Sequence, residues 1–272
     1  MSIDIRDVCF SYETDLILKD INLTLVDGEF TSIIGPSGCG KSTLLRLLAG
    51  LLVPDAGSLT VDGAPITGPG LDRAVVFQDY SLFAWMSCRD NVVIALEQAR
   101  VGANRKERIA VAEQYLELVG LRDSILKLPG ELSGGMRQRA AIARALAQNA
   151  PTFLMDEPFG ALDEITRARQ QDSLLELWQE NRAAIHGGKT ILFVTHDVEE
   201  ALILSDRIIL FSSHPGAIAR EFAVDLPRPR SHHTAIQHPR FSVLREEILQ
   251  ELDRVVNAQL EQHSCIIDEG GI

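Results

Sequence analysis

One stretch of the sequence has the residue types that hold a triphosphate. Residues 35–43 read GPSGCGKST and fit the pattern G-x-x-x-x-G-K-[ST] of a phosphate-binding loop. Glycines let consecutive backbone N–H groups curve around an anion, and the N-terminus of a following helix adds partial positive charge. We expect Lys41 to reach the β- and γ-phosphates of a nucleotide and the Ser42 hydroxyl to bind Mg²⁺. The alternative is a glycine-rich turn that only caps a helix.

A thiol also lies within this loop, at Cys39. A helix N-terminus lowers the pKa of a nearby thiol, so a reactive role for Cys39 is one hypothesis. The other is that a small side chain is simply tolerated beside the phosphates. Either hypothesis predicts that bound ATP slows alkylation of Cys39. The remaining members of the loop are expected to line the phosphates: Gly35, Pro36, Ser37, Gly38, Gly40 and Thr43.

Two adjacent acids follow an apolar run further along the chain. The sequence FLMDE places Asp156 and Glu157 at the end of a predicted strand. A carboxylate at the carboxyl end of a strand beside a phosphate loop is placed to hold Mg²⁺, which we assign to Asp156. Glu157 would point elsewhere and polarise a water for attack on the γ-phosphate. Alone, this pair would be a solvated turn; with the phosphate loop it indicates nucleoside triphosphate hydrolysis.

A second anion-binding turn precedes these acids. The run LSGGMRQR contains Ser133, Gly134 and Gly135, and Ser133 is a suitable cap for the helix that follows. The free N–H groups of that helix's first turn form another site for phosphate. A phosphate loop alone is found equally in kinases, GTPases and motor ATPases. The run LSGGMRQR narrows the possible classes of nucleotide-binding protein.

The elements that must position these residues follow an α/β pattern. A predicted strand (31–34), the loop and a predicted helix (41–52) form the front of a nucleotide-binding unit. Helical periodicity then dominates residues 80–148, which we interpret as a helical subdomain inserted into the core. The strand–helix–strand pattern returns after it. The segments outside the first unit are predicted helices at 91–98, 106–118, 136–148 and 167–181, and strands at 152–155 and 190–195.

Composition restricts the class of protein. The chain has 272 residues and a formal net charge of −12, which argues against non-specific binding to nucleic acid. Four separated cysteines without metal-ligand spacing favour a reducing compartment over a disulfide framework. The charged start and the lack of a run of about 18 apolar residues predict a soluble chain without a signal peptide.

In these motifs and their order the chain resembles the ATP-binding subunit of ATP-binding cassette (ABC) transporters, over about residues 1–211. The resemblance implies an ABC-type P-loop NTPase core, ATP and Mg²⁺ as ligands, and roles for further residues. Tyr12 would stack on adenine, Gln78 would touch Mg²⁺, and His196 would contact the γ-phosphate. The catalytic residues would be Glu157, His196 and Lys41. The other matches are the Walker A loop (35–43), the signature residues Ser133, Gly134 and Gly135, the Walker B residues Asp156 and Glu157, and Asp163 of the D-loop.

The resemblance also implies partners. In this family the signature turn of one cassette covers the ATP held by another, so a second ATPase subunit, identical or homologous, would complete each site. Permease subunits and a solute-binding protein would make an importer at the cytoplasmic face of the cell membrane. The segment 79–86, DYSLFAWM, would either receive a helix of the permease or form a local core.

Residues 80–92 and the Pro-containing segments near 215 and 227 are similar to the nitrate, sulfonate and taurine group of importers, although Ala84 stands where that group usually has Pro. Residues 212–272 form a short C-terminal extension, with a predicted amphipathic helix near Pro239 whose apolar face contains Leu244, Ile248, Leu252 and Val256. Alternatives are a soluble cassette ATPase of DNA repair or translation and a cassette that binds ATP without hydrolysis. His232, His233 and His238 would be either a metal site or solvated side chains.

Overall fold

The computed structural model describes residues 1–182 and 188–269 of the chain. The strands of this part are β1 (Ile3–Tyr12), β2 (Asp15–Leu25), β3 (Phe30–Ile34), β4 (Ala56–Val61), β5 (Ala64–Pro65), β6 (Arg73–Val76), β7 (Thr152–Asp156), β8 (Thr190–Val194), β9 (Arg207–Phe211) and β10 (Ile218–Ala223). The helices are α1 (Lys41–Leu48), α2 (Cys88–Gln98), α3 (Arg105–Leu118), α4 (Gly134–Ala147), α5 (Glu164–Arg182), α6 (Val198–Leu204), α7 (His232–Gln237) and α8 (Pro239–Glu269).

The larger sheet positions the chemistry-bearing residues. Its strand order is β10-β9-β3-β8-β7-β6, with β9, β3, β8, β7 and β6 parallel to their neighbours and β10 antiparallel at one edge. Every residue of β3, β7 and β8 is buried, as expected for central parallel strands covered on both faces. The carboxyl ends of these strands therefore meet at one edge, where ligands bind in open α/β sheets.

A smaller antiparallel sheet, in the order β2-β1-β4-β5, covers one side of the core. The alternating apolar residues of β2 face inward, because Ile21, Leu23 and Leu25 are all buried while their neighbours are exposed. They join α1 and the apolar side chains of β3 and β7–β9 in one hydrophobic cluster. The hydrophobic effect thus fixes α1, and with it the phosphate loop, between the two sheets.

The inserted segment between β6 and β7 contains α2, α3 and α4, which contact one another. Side-chain caps start all three helices: Ser87 accepts from the Asp90 amide, Asn104 from the Glu107 amide and Ser133 from the Met136 amide. The three helices predicted from periodicity are present, with starts one to three residues earlier than predicted. The caps account for this difference, because the first turn of a helix is polar and lies outside the apolar repeat.

The helix after the phosphate loop is shorter than predicted. It ends at Leu48, whereas the sequence predicted a helix through residue 52. Gly50 follows with φ +74°, in the left-handed region that ends a helix, and a Cβ built on it would lie 2.2 Å from the carbonyl oxygen of Gly68. The close approach of these two backbones therefore sets the end of α1.

The C-terminal segment packs against α6. Leu244 and Ile248 of α8 are buried and Leu252 packs against the same cluster, so these three residues of the predicted apolar face lie on the core. Val255, and not the predicted Val256, continues this face in the cluster. The guanidinium of Arg228 donates to the Leu204 carbonyl at 2.7 Å and lies 4.2 Å from the ring centroid of Trp178. These contacts tie residues 212–269 to the larger sheet through its covering helices.

The described residues contain neither a helix that could span a membrane nor a group of side chains that could hold a metal ion. Over residues 1–182 and 188–269, no helix is both long and apolar enough to cross a bilayer. In the same part of the chain, no three or more His, Cys, Asp or Glu side chains are grouped so that they could hold a metal ion. His233 instead lies 3.0 Å from the Gln237 amide, and His238 accepts from the Arg240 backbone.

Candidate active site

The phosphate loop connects β3 to α1 and is built around its lysine. Gly40 is the N-terminal cap of α1 with φ +93°, a conformation that favours glycine. The Lys41 side chain is 7% exposed, and its Nζ donates to the carbonyl oxygens of Gly35 at 2.9 Å and Pro36 at 2.8 Å. The ammonium group is thus held inside the concave side of the loop, at the N-terminus of α1, where a phosphate would be bound.

Cys39 belongs to the core and not to the reactive surface. It is 1% exposed, within the cluster that contains α1, and burial raises the pKa of its thiol above the usual value of 9.0 despite the neighbouring Lys41. The hypothesis that the helix N-terminus activates this thiol is therefore wrong, because desolvation of the thiolate outweighs the favourable charge. The structure favours the second hypothesis of a small side chain tolerated in the loop.

Ser42 and Asp156 form the oxygen-rich part of the site. The Ser42 hydroxyl donates to Oδ1 of Asp156 at 3.0 Å, although the two residues lie 114 positions apart in the sequence. Burial raises the pKa of Asp156, and the nearby Glu157 contributes in the same direction. A hydroxyl and a carboxylate both offer hard oxygen ligands, and the negative charge of the buried carboxylate is stabilised by a cation. This pair therefore fits Mg²⁺.

A cleft of about 410 Å³ connects the predicted base site to the phosphate loop. Tyr12, at the end of β1, is 42% exposed and stands edge-on to Phe10, with ring centroids 4.9 Å apart. The same cleft reaches Lys41, Gln78 and Glu157. An exposed aromatic ring at one end and an acidic group at the other leave room between them for a nucleotide. The remaining lining residues of the cleft are Ile17, Ser37, Gly38, Gly40, Ser42 and Thr43.

Glu157 is the point where three predicted residues meet. Its Oε1 lies 3.2 Å from Nδ1 of His196, and its Oε2 accepts from Nε2 of Gln78 at 3.4 Å. Gln78 also lines a second cleft with Ser42 and Asp156, so it stands between the Ser42–Asp156 pair and the Glu157 carboxylate. A carboxylate held by an amide and an imidazole, next in sequence to Asp156, is suited to orient and deprotonate a water.

The signature and D-loop residues lie outside this arrangement. Ser133, Gly134 and Gly135 begin α4 and line neither of the two clefts described above. Oδ1 of Asp163 accepts from the Thr166 amide at 3.0 Å, and this hydrogen bond lowers the pKa of that exposed carboxyl. The structure therefore does not bring these residues of one chain to its own phosphate loop.

Two buried polar residues of the site were not singled out in the sequence. Gln138 of α4, 2% exposed, donates to the Glu157 carbonyl at 2.8 Å. Glu200 of α6, 6% exposed, accepts from the Thr195 hydroxyl and from the Gln171 amide, and burial raises its pKa. The signal for Gln138 was a glutamine on the alanine-rich face of a helix. For Glu200 it was a carboxylate within the apolar run of α6.

The segment 79–86 carries an exposed aromatic surface. Trp85 is 73% exposed, and its ring lies 5.5 Å from that of Phe83. The side chain of Asn91 fixes the backbone of this segment, because its amide donates to the carbonyls of Phe83 and Met86. The sequence left two hypotheses for this segment, a local core or a docking surface. The exposure of Trp85 supports a docking surface at this residue.

Comparisons with known proteins agree with the geometry. The ABC transporter family model matches residues 18–160. The chain is 47% identical over 235 residues to the bicarbonate transport ATP-binding protein CmpC of Synechococcus elongatus, covering 86% of this chain but only 34% of that protein. The chain thus spans about a third of the length of this relative. It is 45% identical to the nitrate import ATP-binding protein NrtD of the same organism, over 87% of this chain and 85% of that one.

A solved structure gives the same result at the level of the fold. The dimeric, post-hydrolysis structure of the ATP-binding cassette MJ0796, bound to ADP and Pi, superposes with a TM-score of 0.73 and 32% sequence identity, over 83% of this chain and all of that one. The prediction of a P-loop NTPase core of the ABC type is confirmed. On the family model, the relatives and the fold together, this chain belongs to the ABC transporter family.

Proposed function

We propose that the chain is the ATP-hydrolysing subunit of an ABC importer for a small solute. One observation carries the proposal: Glu157 Oε1 stands 3.2 Å from His196, at the sheet edge that also holds the phosphate loop and the Ser42–Asp156 pair. This is the set of groups that phosphoryl transfer to water requires. A cassette that only binds ATP would need no carboxylate held at this point.

The chemistry divides among the residues of the chain. Lys41 and the loop amides bind the phosphates, while Ser42, Asp156 and Gln78 would hold Mg²⁺. When bound, Mg²⁺ neutralises charge on the β- and γ-phosphates. Glu157 accepts a proton as water oxygen bonds to the γ-phosphorus, and the bond from that phosphorus to the bridging oxygen breaks to leave ADP. His196 donates to the γ-phosphate and keeps Glu157 aimed, and Tyr12 stacks on adenine.

The complete site needs a second ATPase subunit. Ser133, Gly134 and Gly135 line neither of the two clefts at the phosphate loop of their own chain, and their amides would instead bind the ATP of a partner. Asp163 caps the helix beside them, at the edge where two cassettes would meet. The dimeric state of the related MJ0796 cassette supports this arrangement. ATP would hold the two subunits together, and its hydrolysis would release them.

The membrane partners follow from the exposed aromatic surface and from the relatives. Trp85 and Phe83 offer an anchor for a helix of a permease subunit, which would place the chain at the cytoplasmic face of the membrane. NrtD and CmpC are named for nitrate and bicarbonate, so we propose a small anion as cargo, delivered by a solute-binding protein. Sulfonates and taurine belong to the same chemical range.

The Glu157→Gln variant tests the catalytic assignment. Removal of the proton acceptor should lower the ATP turnover of the full-length chain by about 10²–10⁴-fold while ATP binding is retained. The variant with ATP and Mg²⁺ should elute as a dimer in size-exclusion chromatography, and the wild type should return to monomer after hydrolysis. Turnover at the wild-type rate would contradict the role of Glu157. Co-purification with ribosomes or DNA, and not with a polytopic membrane protein, would favour the soluble DNA-repair or translation alternative.

A further inference from the structure

The backbone at Glu157 has an unusual conformation that its neighbours must maintain. Its φ is +46°, in the left-handed region, and such a conformation is unfavourable for a residue other than glycine. Residues 157–161 form a turn in which the Gly160 amide donates to the Glu157 carbonyl at 3.2 Å. The direction of the Glu157 side chain therefore depends on what holds this turn in place.

A side chain from another part of the chain holds both ends of the 157–161 turn. Nε2 of Gln138 donates to the Glu157 carbonyl at 2.8 Å, and Oε1 of Gln138 accepts from the Ala161 amide at 3.0 Å. Gln138 is 2% exposed, so these two hydrogen bonds are made in the interior, where an unpaired amide or carbonyl is unfavourable. One carboxamide thus fixes the first and the last residue of the turn.

The helix that carries Gln138 is itself packed against the turn. α4 begins at the signature residue Ser133, and Gln138 lies in its second turn. A Cβ built on Gly135 would lie 3.2 Å from the Ala161 carbonyl oxygen and 3.0 Å from a methyl group of Leu162, so helix and turn are in close contact. A displacement of the start of α4 would therefore act on the turn through Gln138.

We propose that Gln138 is a positioning residue for ATP hydrolysis, which ties the helix of the signature turn to the backbone of Glu157 and so aims the carboxylate at water. The inference rests on the proposed function, because it assigns a role within the same hydrolytic site. Gln138 is not among the residues that line the cleft between Tyr12 and the phosphate loop. Its loss should therefore lower the rate of the chemical step and leave ATP binding intact, since a misplaced catalytic group loses rate steeply with small displacements.

The test compares Gln138→Met and Gln138→Glu with Ile142→Ala in the full-length chain. Methionine keeps the volume of glutamine and makes neither hydrogen bond. Glutamate keeps the acceptor for Ala161 but loses the donor to Glu157. Ile142, 4% exposed on the same helix, controls for lost stability, since its side chain packs in the core and can form no hydrogen bond with the turn. We measure kcat and KM for ATP hydrolysis, Kd for ATP and the thermal unfolding midpoint.

We expect kcat of both Gln138 variants to fall about 10–100-fold with Kd for ATP changed less than twofold, while Ile142→Ala loses thermal stability and keeps kcat. Equal kcat values for wild type and Gln138→Met would overturn the inference, as would a parallel loss of kcat in Ile142→Ala. If neither Gln138 variant folds, Gln138 serves the fold and the inference fails. If the wild type itself does not hydrolyse ATP, the proposed function fails instead.

Discussion

Nδ1 of His196 lies 3.2 Å from Oε1 of Glu157, although the two residues follow different strands of the sheet. Glu157 comes directly after β7 and His196 two residues after β8, and these strands are parallel neighbours with Asp156 paired to Val194. The Glu157 amide also donates to the Val194 carbonyl at 2.9 Å. The register of two adjacent strands therefore sets the distance between the imidazole and the carboxylate.

This distance predicts that the two side chains act as a unit. We expect His196→Ala to lower kcat by about 10²-fold or more, because the carboxylate loses its partner and the γ-phosphate loses a donor. In a Glu157→Gln background the same change should have little further effect, since groups that act together are not additive. Single-turnover ATP hydrolysis by the four members of this double-mutant cycle measures the coupling. Independent, multiplicative losses would show that His196 acts without Glu157.

A second prediction concerns the contact between the C-terminal segment and the phosphate loop. A Cβ on Gly216 would lie 1.9 Å from the carbonyl oxygen of Cys39. The Gly216 backbone is also hydrogen-bonded to the backbones of Ile17 and Lys19 in β2. Gly216→Ala must therefore displace either this segment or the phosphate loop. We expect a loss of about 1–3 kcal/mol in the free energy of unfolding, as in other overpacked sites, together with weaker ATP binding.

Urea unfolding and a fluorescent ATP analogue measure these two effects. Gly130→Ala is the matched control, because a Cβ at Gly130 meets nothing within 4 Å. If Gly216→Ala is less stable than the wild type but binds ATP equally well, the substitution displaces the segment around Gly216 and not the phosphate loop. If Gly216→Ala is as stable as Gly130→Ala, the close approach of Gly216 to Cys39 does not constrain the phosphate loop.

The motifs of the site could be predicted from the sequence because their chemistry requires particular residues at fixed local spacing. The loop 35–43 needs its glycines and Lys41 in consecutive positions, and it needs a strand before it and a helix after it. Parallel strand–helix–strand units then place Asp156 and His196 at the same edge as the loop. The resemblance to a known family supplied the roles of Tyr12 and Gln78.

What the sequence left out depends on contacts between distant segments. Gln138 reaches Glu157 and Ala161 only because α4 packs on the turn, and a glutamine on an alanine-rich helix face does not tell which backbone groups it binds. The sequence left two hypotheses open for Cys39, because the burial that raises its pKa comes from residues far away in sequence and outweighs the local helix N-terminus. The early end of α1 likewise follows from the backbone of Gly68 meeting that of Gly50.

The last prediction concerns the buried carboxyl of Glu200 and the pH dependence of stability. Burial raises its pKa in the folded chain above the ordinary value of 4.5, whereas in the unfolded chain the group is solvated. Between these two values the folded state binds more protons than the unfolded state, so the contribution of Glu200 to the free energy of unfolding falls as pH rises through that window. The Glu200→Gln variant cannot titrate, and its amide oxygen retains the acceptor for the Thr195 hydroxyl. Its amide nitrogen replaces the oxygen that accepts from Nε2 of Gln171, so the Gln171 carboxamide must turn over and present Oε1, a buried atom without a hydrogen-bond partner among the described residues. We therefore expect the variant to gain stability relative to the wild type as pH rises from about 4.5, as measured by urea unfolding at a series of pH values. Parallel stability curves for the two proteins would show that the Glu200 carboxylate is charged at no extra cost in its buried position.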